Sequence, residues 1–152
     1  MRRATASAAG VVLLGALITG CSGDDVDPSE VSAWMNAEEH AAEGGQGQMS
    51  SRVGPDDGPP QPGNGITLDF EAPTQIAGVR LSCFGEDTLT FVVEVVHETG
   101  AGGIQATGVE HAVSCAEGDY TADVDGSEAS AVRVDAYGAE HHGAWRAVIL
   151  DE

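Results

Sequence analysis

From Ile66 onward, apolar and polar residues alternate in short runs separated by Gly, Asp and Ser. Ile66, Leu68 and Phe70 are interleaved with Thr67, Asp69 and Glu71, the period of two expected of a half-buried strand. Val79, Leu81 and Cys83 repeat the pattern, as do Leu89, Phe91, Val93 and Val95; apolar Val92 and Val96 on the opposite parity predict a central strand covered on both faces. After a Gly-rich turn at 100–103 come a weaker strand at 104–107, and then Val109, His111, Val113 and Cys115 on one parity. Runs at 122–124, 132–136 and 144–150 complete seven or eight strands; in the last, Trp145, Ala147 and Ile149 point one way and Arg146, Val148 and Leu150 the other. Short strands with turn residues between them predict an all-β domain over 66–152, an antiparallel, immunoglobulin-like β-sandwich.

Upstream the pattern changes twice. Asp27, Pro28, Ser29 and Glu30 read as a helix start, with Asp27 as N-cap, Pro28 at the first helical position and Glu30 placed for a capping box. Val31, Trp34, Met35, Ala41 and Ala42 then fall on one side, Glu38 interrupts them, and Gly44 and Gly45 end the helix. So short a helix frays unless its apolar face docks; the sandwich and a separate partner are the two destinations. Over 44–65, Gly, Pro, Gln, Asp and Ser replace any apolar period. That composition predicts a linker spanning on the order of 25 Å as a coil, enough to hold the domain away from whatever anchors its start.

The start itself has a charged, greasy and small-residue build. Arg2 and Arg3 precede an apolar run from Ala4 to Ile18, too short for the roughly 20 residues of a membrane-spanning helix. Ile18, Thr19, Gly20 and Cys21 resemble the bacterial lipobox, which implies a signal peptide over 1–20 and a diacylglycerol on the Cys21 sulfur. The competing reading is an ordinary secretory signal in which Cys21 falls by coincidence. Two acyl chains anchor stably where one, at about 0.8 kcal/mol per buried CH₂, holds marginally. The expected address is the extracytoplasmic face of the cell membrane, with 21–43 as lipidated tether and helix.

Cysteine usage fits export. With Cys21 assigned to lipid, Cys83 and Cys115 remain as an even pair in an oxidising compartment. No Cys-x-x-Cys or zinc spacing is present, so a disulfide is expected between them.

Charge then removes whole classes of partner. The full chain carries 25 acids against 6 arginines and no lysine; loss of Arg2 and Arg3 leaves a formal charge of −21. Nucleic acid phosphates and anionic lipid head groups are repelled, so DNA, RNA and a peripheral membrane-binding surface are disfavoured. Cations, basic proteins and neutral sugars remain.

No catalytic, cofactor or metal-ligating set emerges. His40, His97, His111, His141 and His142 lack the i, i+4 or HExxH spacing of a zinc site. Asp123, Asp125, Gly126 and Glu128 resemble part of a calcium loop, but Thr121 and Val132 occupy its first and twelfth positions. Ser114 and Ser130 lie outside any Gly-x-Ser-x-Gly elbow.

The series Cys83-Phe84-Gly85, Cys115, Val132-Arg133-Val134 and Gly143-Ala144-Trp145 resembles small actinobacterial lipoproteins with a disulfide-containing β domain. The resemblance covers the signal and the last 87 residues, and differs at Ala116-Glu117-Gly118, where many of the group have Asp-Gly after the second cysteine. It implies a fold and an address but no reaction. The expected function is an envelope-anchored binding module for a protein or glycan, with Tyr137, Trp145 or the end loops as contacts. The alternative is a cation-binding or hydrolytic domain using clustered Asp, Glu and His, and a passive wall-spacing role is a third.

Overall fold

The computed structural model describes residues 26–41, 45–85, 87–100 and 102–151, with side chains from 38 to 41 left aside. The signal segment, Cys21, Ala42, Gly44 and the His40 side chain lie outside the described residues. One helix, α1 (Pro28–Ala41), precedes eight strands: β1 (Gly45–Val53), β2 (Ile66–Thr74), β3 (Gly78–Phe84), β4 (Thr88–Thr99), β5 (Gly103–Ser114), β6 (Tyr120–Ala122), β7 (Ala129–Tyr137) and β8 (Gly143–Leu150). They form two antiparallel four-stranded sheets, β1-β8-β3-β6 and β2-β7-β4-β5.

The expected all-β antiparallel sandwich is what forms. Its strand order, however, is that of a jelly roll, in place of the immunoglobulin order. Strand 1 pairs with 8, 2 with 7, 3 with 6 and 4 with 5, as if one long hairpin had been rolled up. Only the β4–β5 turn stays within a sheet; the other connections cross between the two. An immunoglobulin sandwich instead keeps its first two strands side by side in one sheet.

Strand parity fills the core as the alternation predicts. Val79, Leu81 and Cys83 of β3, Leu89, Phe91, Val93 and Val95 of β4, Val132, Val134 and Ala136 of β7, and Trp145, Ala147 and Ile149 of β8 belong to one buried cluster. Trp145 meets Phe91 edge-on across the sheets, ring centroids 6.0 Å apart at 81°, a favoured aromatic geometry. The Cys83–Cys115 disulfide joins β3 of one sheet to the end of β5 in the other. The two runs read separately at 104–107 and 109–115 are one strand, paired with β4 from Thr99↔Gly103 to Thr88↔Ser114.

The stretch expected to be a linker contains β1. Residues 45–53 pair with β8, from Gly47↔Ile149 to Val53↔Gly143, so only 54–65 connects β1 to β2. The glycines that looked like linker composition are there for close packing. A Cβ on Gly47 would stand 2.3 Å from Leu68 Cδ1, and one on Gly45 would stand 2.5 Å from the Ile149 carbonyl oxygen. Glycine in a strand often marks such an approach. Met49 and Val53 supply the apolar contacts that this edge strand gives to the core.

The helix docks on the sandwich. The Asp27 carboxylate accepts from the Ser29 N–H at 2.8 Å and the Ser29 hydroxyl at 2.7 Å, capping α1. Val31 is 2% exposed, Trp34 lies 6.0 Å from Phe84, and Arg52 donates to the Ser32 hydroxyl at 2.8 Å. With α1 against β8, the outward row Ala144, Arg146 and Val148 is as buried as the core. β8 is thus covered on both faces.

Candidate functional site

The outer face of β2-β7-β4-β5 lies on the other side of the molecule from α1, and among the described residues no helix lies over it. Register aligns its outward side chains in rows. One row runs Thr67, Arg133, Glu94, Gly108; the next runs Asp69, Ala131, Val96, Ala106. Small residues in the second row leave a depression, and the irregular part of β2 between Asp69 and Thr74 walls it on one side. The resulting cleft, about 310 Å³, is lined by Asp69, Glu71, Val96, Glu98, Ile104 and Ala131 among others. Val96 and Ala131 form its floor, each at most 5% exposed, while Ile104 at the rim is 74% exposed.

Electrostatics at the cleft are one-sided. Arg133 is its cation, and Nη1 already donates to Glu94 at 2.5 Å while Nε donates to Thr67 at 3.2 Å. The Ser130 hydroxyl donates to the Val96 carbonyl at 2.9 Å. Asp69, Glu71 and Glu98 remain exposed with no side-chain partner among the described residues. The site therefore offers carboxylate acceptors around a small apolar floor, a surface for hydroxyl-rich or positively charged groups.

A second constellation sits at the end of the sandwich that carries the β3–β4 and β7–β8 connections. Asp87 accepts from the Glu140 N–H at 3.0 Å, the His141 N–H at 2.9 Å and His141 Nδ1 at 3.0 Å. Burial pushes this carboxyl up, but the donors on His141 and Glu140, with the His141 charge, outweigh it and hold the pKa below its ordinary 3.8. His142 turns the other way, against Gly54, where an added Cβ would stand 2.7 Å from Nδ1. Asp87 and His141 are an Asp–His pair that the sequence, 54 residues apart, gave no means of finding. All three donors fix loops, so the pair works as a clasp.

The other candidates resolve plainly. Tyr137 lies on the open face, half-buried and opposite Thr90. Trp145, read as a ligand contact, is 1% exposed in the core and is withdrawn from that role. His111 lies tilted against Tyr120, with Nδ1 3.3 Å from the phenol oxygen, across the β5–β6 edge. Asp125 is engaged by the Ser127 hydroxyl and N–H, which lower its pKa, while Gly126 packs on Ile76. Among the described residues no group of three or more His, Cys, Asp or Glu is disposed to hold a metal ion. The cleft residues escaped the sequence reading because Val96 looked like part of a doubly covered strand. Exposed Ile104 at the weak end of β5 was the one available signal.

The fold and these sites define a disulfide-linked jelly-roll module with one face covered and one open. No protein-family model, curated protein or solved structure matches the chain.

Proposed function

We propose that the chain is a lipid-anchored envelope protein, held through Cys21, whose jelly roll is a binding module without catalytic function. Its contact surface is the open face of β2-β7-β4-β5, and its partner is a neutral glycan or a basic protein segment of the envelope. One observation carries this reading: α1 packs over β8 of one sheet, while the other presents a cleft of about 310 Å³ bordered by Asp69, Glu71 and Glu98. Fold alone assigns no ligand, since jelly rolls serve many purposes. The chemistry of the rim does the selecting, because carboxylates accept from sugar hydroxyls and from ammonium or guanidinium groups.

The test uses intact envelopes and three proteins: wild type, a control carrying the lipobox segment alone, and the double variant Asp69→Lys with Glu98→Lys. Both substituted positions are exposed, so the fold should survive. A partner retained by wild type, absent from the control and lost from the variant supports the reading. Nothing above the control, or equal capture by the variant, overturns it.

A further inference from the structure

Val26, five residues after the lipidation position, lines a cleft shared by α1, β1 and the β7–β8 connection. Five residues span at most about 17 Å when fully extended. Residues 44–65 provide no stand-off, because β1 belongs to the sandwich and 54–65 merely joins β1 to β2. Resting on the Cys21 anchor proposed above, this tether confines one particular end of the molecule to the bilayer.

Register identifies that end. Val53↔Gly143, Phe84↔Ala144 and Thr88↔Ser114 mark it, together with the β1–β2, β3–β4 and β7–β8 connections. The β4–β5 turn lies at the opposite end, separated by the twelve residues of β4, a length of about 40 Å. The partner cleft, with Glu98 and Ile104 on its lining, lies toward that far end.

The near end also carries exposed Asp56, Asp57 and Glu140, but one cleft between its elements is lined differently. This cleft, about 490 Å³, is lined by Val26, Pro28, Val31, Val53, Gly143, Arg52 and His142. Arg52, whose Nη2 also donates to the Ser32 hydroxyl at 2.8 Å, and His142 stand beside its apolar lining. Asp57 accepts from the Gly54 N–H at 2.7 Å, and its carboxylate stands close to the Gly54 position that His142 covers. Cationic, anionic and apolar groups side by side fit a zwitterionic phospholipid, with its phosphate on Arg52 and His142, its ammonium on Asp57 and its glycerol base on the valines.

We infer that this cleft is a membrane-docking surface for zwitterionic outer-leaflet phospholipid, so that the module lies against the bilayer with its partner cleft directed outward. The experiment reconstitutes the full lipidated chain in nanodiscs of phosphatidylethanolamine containing a headgroup spin label. With Cys21 acylated and Cys83 bridged to Cys115, Asp56→Cys and Gly100→Cys each add the one free thiol for a fluorophore. Fluorescence at 56 should be quenched several-fold more than at 100. Arg52→Gln with His142→Gln should reduce that contrast to what the tether alone sustains, while the N-terminal acyl mass stays unchanged and thermal melting remains cooperative. Equal quenching at the two positions, or a contrast indifferent to the double variant, overturns the docking surface and leaves the anchor standing. A missing acyl mass removes both.

Discussion

Asp87 spends a single carboxylate on three donors from the β7–β8 connection, and its own backbone carbonyl accepts from the Cys115 N–H at 2.9 Å. Three connections at one end of the sandwich are thereby stitched together. The side chain is only 16% exposed, so Asp87→Asn, which exchanges an acceptor oxygen for a donor, should cost about 1–3 kcal/mol at neutral pH. The pH dependence follows from the lowered pKa. A carboxyl whose folded pKa is depressed contributes stability that is complete above its unfolded pKa and is lost as pH falls through the folded one. Chemical unfolding of wild type and variant should thus differ most above the ordinary aspartate range and converge as pH falls below it; a constant difference would show that the ionised clasp is not the cause. Trp145 tests the opposite kind of residue. Buried against Phe91, it should cost about 3–5 kcal/mol as Trp145→Ala, read by denaturant midpoint.

At the scale of elements, sequence alternation located most strands from β2 to β8, because facing the core imposes a period of two on apolar residues; the run at 122–124 meets β6 only at Ala122, and β5 reads as two runs. The helix start was equally legible, since Asp27, Pro28 and Ser29 act within one turn. Three things were not. β1 was invisible because an edge strand that contributes only Met49 and Val53 to the core needs glycine where it approaches Ile149 and Leu68. The jelly-roll order was hidden because parity states which face is buried and is silent on which strand lies alongside. The open cleft was missed because burial of Val96 beneath neighbouring side chains mimics burial beneath a second layer. The domain boundary is the experimental consequence. A chain starting at Ile66 lacks α1 and β1, leaving the β8 edge unpaired and Ala144 and Val148 uncovered, so it should be aggregated or unfolded by circular dichroism. A chain starting at Val26 should melt cooperatively. The disulfide closes a separation of 32 residues between the two sheets, and Cys83→Ala with Cys115→Ala should lower unfolding free energy by about 3–4 kcal/mol on the chain-entropy account.

At the scale of the whole molecule, charge opposes compactness. After loss of Arg2 and Arg3, the four remaining arginines face 25 acids; Arg133 pairs with Glu94, and Arg80 pairs with Asp119 at 3.8 Å in a part-exposed setting. Such exposed pairs contribute little. Carboxylates on opposite ends of the sandwich therefore repel one another across a molecule held together by its core, its clasp and its crosslink. Salt shortens that repulsion: the screening length falls from about 30 Å at 0.01 M to about 10 Å at 0.1 M. Melting temperature should accordingly rise with sodium chloride, with most of the gain complete by about 0.2 M, where the screening length is already below the spacing of most surface charges. A gain that instead continued linearly into molar salt, and grew on replacing chloride by sulfate, would indicate strengthened apolar burial in place of screening. Replacing exposed acids remote from both clefts, such as Asp123 and Glu117, by their amides should raise the melting temperature in low salt and leave it unchanged at about 0.2 M, because repulsion already screened has nothing left to relieve.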